Sequence, residues 1–207
     1  MHISDGVLLA PVWVGGYVVS AAVVAVTTKK MRPEDIPKTA IMTSVFFVTS
    51  LIHIPIGPTS THLILNGLIG MILGPLAFVS IFLGLILQAI LFQHGGITTV
   101  GVNSVIMGLP ALLAYKIFNL HHKIQFKSNV AVFGALAGAC AIILGTLILA
   151  FLLVATGSEF IGVAKLAFLA HLPVIVIEAI ITGFIASFIM KVKPELLERG
   201  KKWEKLV

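Results

Sequence analysis

Long apolar stretches without a charged residue constrain this chain more than any other feature. One of them, residues 129–155, exceeds the length of about 20 residues that an α-helix needs to cross a lipid bilayer. Only 11% of the residues are charged, whereas a soluble domain carries about a quarter. The sequence therefore excludes a water-soluble globular fold and predicts an all-α integral membrane protein.

The apolar stretches are separated by short segments with turn-forming residues, such as Gly57–Pro58, Gly74–Pro75 and Gly95–Gly96. We predict about seven transmembrane helices, of which the third is short for a full crossing. Their expected ranges are residues 8–28, 39–56, 62–74, 76–93, 103–119, 129–155 and 163–190.

The basic residues predict how the chain is oriented. All Lys and Arg residues except Lys165 fall in three clusters, within residues 29–38, 116–127 and 191–205. Cytoplasmic loops are enriched in Lys and Arg, and an odd number of spans with the N-terminus outside makes all three clusters cytoplasmic. Because these clusters lie between apolar stretches and not on one folded face, no nucleic acid is expected as a partner. The first residues do not resemble a cleaved signal peptide, so we expect Met1 to stay on the protein.

Four of the seven histidines fall on the predicted outer side: His2, His53, His62 and His94. Imidazole is the commonest metal ligand in proteins. At the start Met1–His2, the α-amine, the backbone nitrogen of His2 and its Nδ1 can close two chelate rings around one ion, leaving a fourth position for another imidazole. An all-nitrogen set of this kind suits Ni(II), Cu(II) or Co(II), whereas Mg and Ca require oxygen ligands.

Structural roles compete with ligation at several of these positions. His62 either binds metal or caps a helix, His53 is typical of a satisfied interior histidine, and His94 is expected to hydrogen-bond near the site more often than to ligate. The pair His121–His122 lies on the predicted cytoplasmic side and is expected to be solvated.

Glu178 is the one carboxylate within a predicted span. It either pairs inside the bundle or serves ion passage, because an ionisable group at membrane depth is costly. His171 in the same span is expected to pack. The sequence contains no Walker A, HExxH or GxSxG motif, so the chain is not expected to be an enzyme or to hydrolyse ATP by itself.

Three segments carry a recognisable combination of motifs: MHISDG at residues 1–6, PIGPTSTHL at residues 55–63 and HGGITTVGVN at residues 94–103. Together they resemble the CbiM/NikM family, whose members are the substrate-capture (S) components of energy-coupling-factor importers for cobalt and nickel. The resemblance extends over essentially the whole chain.

The resemblance implies a single transmembrane domain over residues 1–207. In it, a metal-chelating segment (1–7) and an extra helix (8–28) precede a six-helix core (about 39–190) and a cytoplasmic tail (191–207). It also implies that the metal is held by the Met1 amine, by the backbone nitrogen and imidazole of His2, and by the imidazole of His62. The residues expected to organise this site are His94, Asn103, Ser60 and Asp5.

The resemblance further implies Co2+ or Ni2+ as the transported substrate and no organic cofactor. The implied partners are a transmembrane coupling (T) subunit, two cytoplasmic ATPase subunits and a small CbiN/NikN-type membrane subunit, in the inner membrane of a prokaryotic cell. Cobalt members of the family often have Cys-Ser-His where this chain has Ser60-Thr61-His62, which leaves the choice between cobalt and nickel open.

Two other functional classes compete with an importer subunit. A stand-alone cation channel or secondary transporter would use the outer histidines and Glu178, and a chain of ionisable groups between both faces would favour it. A membrane metalloenzyme would need an open coordination position and a general base, for which Asp5 is the only carboxylate near the outer histidines.

Overall fold

A computed structural model describes residues 1–51, 53–56 and 59–197, with the backbone alone for residues 53–56 and 59–61. This part of the chain is mostly helical, which confirms the expected helical membrane protein. Its α-helices are α1 (Ala10–Thr28), α2 (Asp35–Thr49), α3 (Asn66–Leu73), α4 (Ala77–Phe92), α5 (Val100–Asn119), α6 (Asn129–Thr156) and α7 (Ile161–Val192).

Five segments of the described chain are long and apolar enough to cross a membrane. They are Ala10–Thr28, Asn66–Phe92, Val100–His122, Asn129–Thr156 and Ser158–Val192. The helix α2 has only 15 residues, and α3 has eight and continues into α4 through a 3-10 turn at Gly74–Leu76. The number of seven spans and the orientation of the termini therefore stay predictions.

A small sheet forms where the sequence predicted the end of one helix, a turn at residues 57–58 and the start of the next helix. The strands are β1 (His2–Ile3), β2 (His53–Ile56) and β3 (Thr59–His62), and they pair in the order β1-β3-β2. The predicted helices over residues 39–56 and 62–74 are thus too long. Pro55 has no N–H to donate within a helix. Residues 59–61 are Thr, Ser and Thr, and threonine favours β-strands.

The short helix α3 forms the centre of the bundle, and all eight of its residues are buried. Neighbouring helices approach it closely: a Cβ at Gly67 would lie 2.6 Å from the Cα atom of Gly138 in α6. Small residues permit such contacts between helices that lie in lipid. The helix α3 is therefore enclosed by its neighbouring helices.

The first helix lies at the edge of the bundle and contacts α5 along one narrow strip. Gly16 lies against the backbone of Val102, and the Ser20 hydroxyl donates to the Gly101 carbonyl oxygen over 2.7 Å. Large apolar side chains on the rest of α1, such as Val18 and Val26, are exposed. This distribution is typical of a helix whose outer surface faces lipid.

Candidate metal centre

The three-stranded sheet brings the N-terminus beside the strand that ends in His62. Strand β1 pairs antiparallel with β3 in the register His2 with Ser60 and Ile3 with Thr59. Strand β2 pairs with the other edge of β3, and there His53 lies opposite His62. As the edge strand beside β3, β1 places the first two residues of the chain next to the end of β3 that carries His62.

Asn103 in α5 holds the other edge of β1. Its Oδ1 accepts a hydrogen bond from the Ile3 backbone N–H over 2.8 Å, and its Nδ2 donates to the Ile3 carbonyl oxygen over 3.0 Å. One amide side chain thus replaces a missing strand neighbour and satisfies both polar groups of a buried residue. Asn103 therefore positions the N-terminal strand.

The imidazoles of His2 and His62 face each other across a short gap. His2 Nε2–H donates to Gln88 Oε1 over 2.8 Å, and His62 Nδ1–H donates to the Leu63 carbonyl oxygen over 2.7 Å. The remaining nitrogens, His62 Nε2 and His2 Nδ1, lie 3.3 Å apart. Since each ring has its proton on the far nitrogen, both nearby nitrogens present lone pairs to the same space.

The side chain of Met1 is anchored inside the bundle, and its amine is fully enclosed. A Cβ at Gly145 of α6 would lie 2.7 Å from Met1 Sδ, so this glycine leaves room for the thioether. Burial lowers the pKa of the Met1 α-amine to about 4. The amine is therefore neutral near pH 7 and keeps a lone pair for a ligand.

The two facing imidazoles are neutral for the same reason. Burial is the largest cause that moves the pKa of His2 well below its usual range, and the Met1 amine adds to this effect. Burial and the Met1 amine likewise lower the pKa of His62, and His94 and His171 lower it a little more. The site thus combines several uncharged nitrogen donors, the protonation state that metal binding requires.

The loop after α4 packs against this cluster. The ring centroid of His94 lies 4.4 Å from that of His2 and 5.9 Å from that of His62. Gly95 has a φ of +82°, and a Cβ there would lie 3.0 Å from Asn103 Nδ2 and 3.3 Å from His2 Cδ2. The two-glycine turn therefore lets His94 approach His2 and lets the backbone support His2 and Asn103.

Asp5 contacts the same loop from the N-terminal segment, at the surface. Its Oδ1 accepts a hydrogen bond from the Thr98 backbone N–H over 3.0 Å and a second from the Thr98 hydroxyl. Gly96, with a φ of +101°, lies directly against the Asp5 carboxylate, where a Cβ would clash. Asp5 thus connects the N-terminal segment to the loop just before α5.

Two residues near the cluster were missed by the sequence analysis. Gln88 is the hydrogen-bond partner that sets the tautomer of His2, and it is buried. The sequence could have indicated a role for Gln88, because it is the only amide side chain in the apolar helix α4. His171, expected only to pack, is buried and acts electrostatically on His62, but its approach depends on a helix crossing that the sequence does not reveal.

The remaining predicted site residues lie elsewhere or outside the described side chains. Ser60 is paired with His2 through the backbone, and the side chains of Ser60 and His53 are not among those described. Glu178 accepts hydrogen bonds from the backbone just after His62, at Ile64 and Leu65. His121 is buried, in contrast to the solvated position that was expected for it.

The chemistry of the cluster is that of nitrogen donors. Within residues 1–51, 53–56 and 59–197, no three His, Cys, Asp or Glu side chains converge as a metal-binding group. The Met1 amine is a further nitrogen close enough to lower the pKa of both His2 and His62. Ligands about 2.0–2.1 Å from one ion lie about 3–4 Å from each other, and the gap of 3.3 Å between the two imidazole nitrogens fits that spacing.

Fold and site together define a membrane protein that gathers neutral nitrogen donors at one end of a helical bundle. The profile of a family described as "Cobalt uptake substrate-specific transmembrane region" matches residues 2–196. The chain belongs to this family, CbiM, which confirms the resemblance seen in its motifs. It is a metal-uptake membrane component of the CbiM type.

Known relatives and a solved structure agree with that assignment. A "Putative metal transport protein" of Haemophilus influenzae is 34% identical over 206 residues, which cover 98% of this chain and 100% of the relative. A "Putative fused cobalt transport protein CbiMQ" of Methanocorpusculum labreanum is 27% identical over 216 residues, which cover 95% of this chain and 36% of that protein. A crystal structure of a transition metal transporter is 25% identical, with a TM-score of 0.75 and coverage of 93% of both chains.

Proposed function

We propose that this chain is the substrate-capture component of an energy-coupling-factor importer and that it binds Co2+ or Ni2+ from outside the cell. The observation that carries the proposal is the pair of imidazole lone pairs, 3.3 Å apart, beside a buried neutral amine. Neutral nitrogen donors without a carboxylate favour late first-row transition metals over Mg or Ca.

The proposed donor set consists of four nitrogens. They are the Met1 amine, the backbone nitrogen of His2, His2 Nδ1 and His62 Nε2. The first three belong to one continuous stretch of chain and form two chelate rings, and His62 supplies the fourth position from β3. Gln88 and the Leu63 carbonyl oxygen support this set, because they take the protons of the two imidazoles on the far side of each ring.

The choice of metal follows from the family and from the donors. The cobalt named for the family supports Co2+ as substrate, and the all-nitrogen set is equally suited to Ni2+. Since Ser60 and Thr61 precede His62 where cobalt members often have Cys and Ser, no thiolate near His62 biases the site toward one ion.

As an ATP-driven importer, the chain would depend on separate ATPase subunits, because its sequence contains no Walker A motif. We propose a transmembrane coupling subunit, two cytoplasmic ATPases and a small CbiN/NikN-type subunit as these partners. The fused relative of Methanocorpusculum labreanum, in which this chain covers only 36% of the length, supports a second membrane component. The positions of the Lys and Arg clusters support an outer N-terminus, an inner C-terminus and residence in a prokaryotic cell membrane.

The proposed site also explains how tight binding and release are compatible. Three of its four donors belong to residues 1–2, which are not within a helix; His2 pairs with β3, and Asn103 holds the following residue, Ile3. A movement that separates β1 from β3 would dismantle the donor set without unfolding a membrane helix.

The experiment is a cellular uptake assay with 57Co2+ and 63Ni2+ in a host without its own importers. The chain is produced together with the coupling subunit and ATPases encoded for it. Accumulation of either ion is expected with the wild-type chain and is expected to fall to background with His62→Ala or with inactive ATPases. Equal accumulation with inactive ATPases would contradict the importer and support a channel or secondary transporter.

A further inference from the structure

Glu178 is a buried carboxylate in the middle of α7, and it contacts the polypeptide next to the proposed ligand His62. Its Oε1 accepts hydrogen bonds from the backbone N–H groups of Ile64, over 2.6 Å, and of Leu65, over 2.7 Å. The side chain is fully buried, and its Oε2 has no hydrogen-bond partner within the described residues. The carboxylate therefore serves the backbone of the turn between β3 and α3.

The peptide group between Leu63 and Ile64 links Glu178 to His62 atom by atom. Its N–H donates to Glu178 Oε1 over 2.6 Å, and its carbonyl oxygen accepts the Nδ1–H of His62 over 2.7 Å. A peptide group is planar and trans, so its N–H and C=O point in opposite directions and move together. Fixing the N–H end by Glu178 thus fixes the carbonyl oxygen that orients the imidazole.

The turn that Glu178 holds has an unusual backbone conformation. Leu65 has a φ of +57°, in the left-handed region that residues with a Cβ rarely adopt. Such conformations persist where the surroundings enforce them. Here the enforcing contacts are the two hydrogen bonds to Glu178, and they come from a different helix.

We propose that Glu178 is a positioning residue for metal binding: acting from α7 through the Leu63–Ile64 peptide group, it aims His62 Nε2 at the ion and couples the affinity of the site to the position of α7. This inference rests on the proposed function, because it takes His62 as a donor. A displacement of α7 relative to β3 would turn the peptide group and the imidazole with it, and so weaken the site.

The decisive comparison is between Glu178→Met and Glu178→Gln in the full chain with a native N-terminus. Methionine has a similar length and offers only a weak acceptor, whereas the Gln carbonyl oxygen accepts the same two N–H groups. We expect Glu178→Met to lower the affinity for Ni2+ about tenfold or more, the range seen when groups behind a metal ligand are removed. Glu178→Gln is expected to retain the affinity within about threefold.

Thr182→Val is the matched control. Thr182 lies one turn further along α7, is fully buried, and its hydroxyl has no hydrogen-bond partner in the described part of the chain. The substitution conserves the volume of the side chain and leaves the turn at Ile64 and Leu65 untouched. It is expected to bind Ni2+ like the wild-type protein.

A double-mutant cycle with Cu2+ tests whether Glu178 acts through His62. Cu2+ binds nitrogen donors most tightly among these ions, so it remains measurable in His62→Ala. Glu178→Met is expected to shift the electron paramagnetic resonance spectrum of bound Cu2+ toward that of His62→Ala and to have no further effect in the His62→Ala background. Equal losses in both backgrounds would overturn the proposal, since Glu178 would then act through the general fold.

The other outcomes are equally decisive. Wild-type affinity in Glu178→Met overturns the proposal. A Glu178→Gln variant that binds poorly also overturns it, because binding would then depend on the negative charge of Glu178 and not on its role as a hydrogen-bond acceptor. If the Glu178→Met variant does not fold, the affinity of the Glu178→Gln variant for Ni2+ can still refute the inference. If His62→Ala binds Ni2+ as tightly as the wild-type protein, the donor set of the proposed function fails, and this result is independent of every Glu178 variant.

Discussion

Two histidine clusters in this molecule differ in the hydrogen bonds that neighbouring residues make with the imidazole rings. In the cluster His2–His62–His94, backbone and amide acceptors hold the protons of His2 and His62 on the far nitrogens, and two lone pairs meet at 3.3 Å. In the pair His121–His122, the rings lie 3.8 Å apart between their centroids. Proximity of imidazoles is common to both clusters, and the facing nitrogens 3.3 Å apart belong to the first.

The surroundings of the second cluster explain why it offers no comparable donor set. His121 Nδ1–H donates to the Phe118 carbonyl oxygen over 2.6 Å, and the ring packs against Phe118 at a centroid distance of 4.4 Å. The nearby charged residues of this end are lysines, Lys116 and Lys123, which repel a cation. A buried amine and a chelating chain terminus exist at the first cluster alone among the described residues.

The largest expected effect comes from removing one imidazole of each cluster. His2→Ala and His62→Ala are each expected to reduce Ni2+ and Co2+ binding at least about a hundredfold, because every variant loses a donor. His122→Ala is expected to leave the affinity unchanged. Calorimetric titration of the detergent-purified variants measures this difference, and a His122→Ala protein that fails to bind would reverse the roles of the clusters.

A smaller loss is expected when the partner of His2 is changed. Gln88→Leu removes the acceptor for His2 Nε2–H, so that the imidazole can rotate or change tautomer, and we expect an affinity loss of about tenfold. Gln88→Glu keeps an acceptor oxygen at the same distance and is the control. If both variants bind Ni2+ like the wild-type protein in the same titration, the tautomer of His2 is not controlled by Gln88.

Two asparagines provide a matched test of the backbone supports of the two clusters. Asn103→Ala removes two hydrogen bonds to Ile3, at a cost of about 1–3 kcal/mol in the stability of the strand pairing, and is expected to weaken Ni2+ binding several-fold. Asn129→Ala removes a hydrogen bond to the His121 carbonyl oxygen and is expected to affect thermal unfolding without affecting binding. Thermal unfolding and calorimetric Ni2+ titration of both variants measure these effects, and an equal loss of Ni2+ affinity in both would contradict the comparison.

A further expected effect concerns the protons that compete with the metal ion for the nitrogen donors. The pKa of the Met1 amine is lowered to about 4, and the pKa values of His2 and His62 lie well below their usual range. Protons compete for these nitrogens only below their pKa values, so near pH 7 the one donor that must release a proton is the backbone nitrogen of His2. We expect release of about one proton per ion and an affinity that rises about tenfold per pH unit.

Titrations in buffers of different ionisation enthalpy measure this proton release. An exposed N-terminal chelate with an ordinary amine releases protons from the amine and the backbone nitrogen together. Release of two or more protons per ion would therefore show that the amine of Met1 is protonated before binding and is not held neutral by burial.

The sequence predicted those parts of the structure that depend on local patterns. Uncharged apolar runs predicted most helices, and turn residues such as Gly74 and Gly95 marked real breaks, each with a positive φ. The first two residues and His62 were singled out by their motifs, and the structure brings them together. That they bind metal stays a prediction.

Non-local pairing explains what the sequence did not predict. The N-terminus adds a third strand beside β3, and no local sequence pattern predicts that pairing. Glu178 was left between a structural and an ion-conducting role, since its contacts with Ile64 and Leu65 lie more than a hundred residues away in the chain. Gln88 was overlooked for the same reason.

The most direct test of the central claim asks whether the free N-terminus is a ligand. Ni2+ and Co2+ are titrated calorimetrically into the protein with a native N-terminus, into the same protein with a few residues added before Met1, and into a control with those residues added after Val207. The account predicts that only the N-terminal extension removes binding of both ions, with helical content unchanged by circular dichroism. Equal binding by all three proteins would contradict the N-terminal chelate.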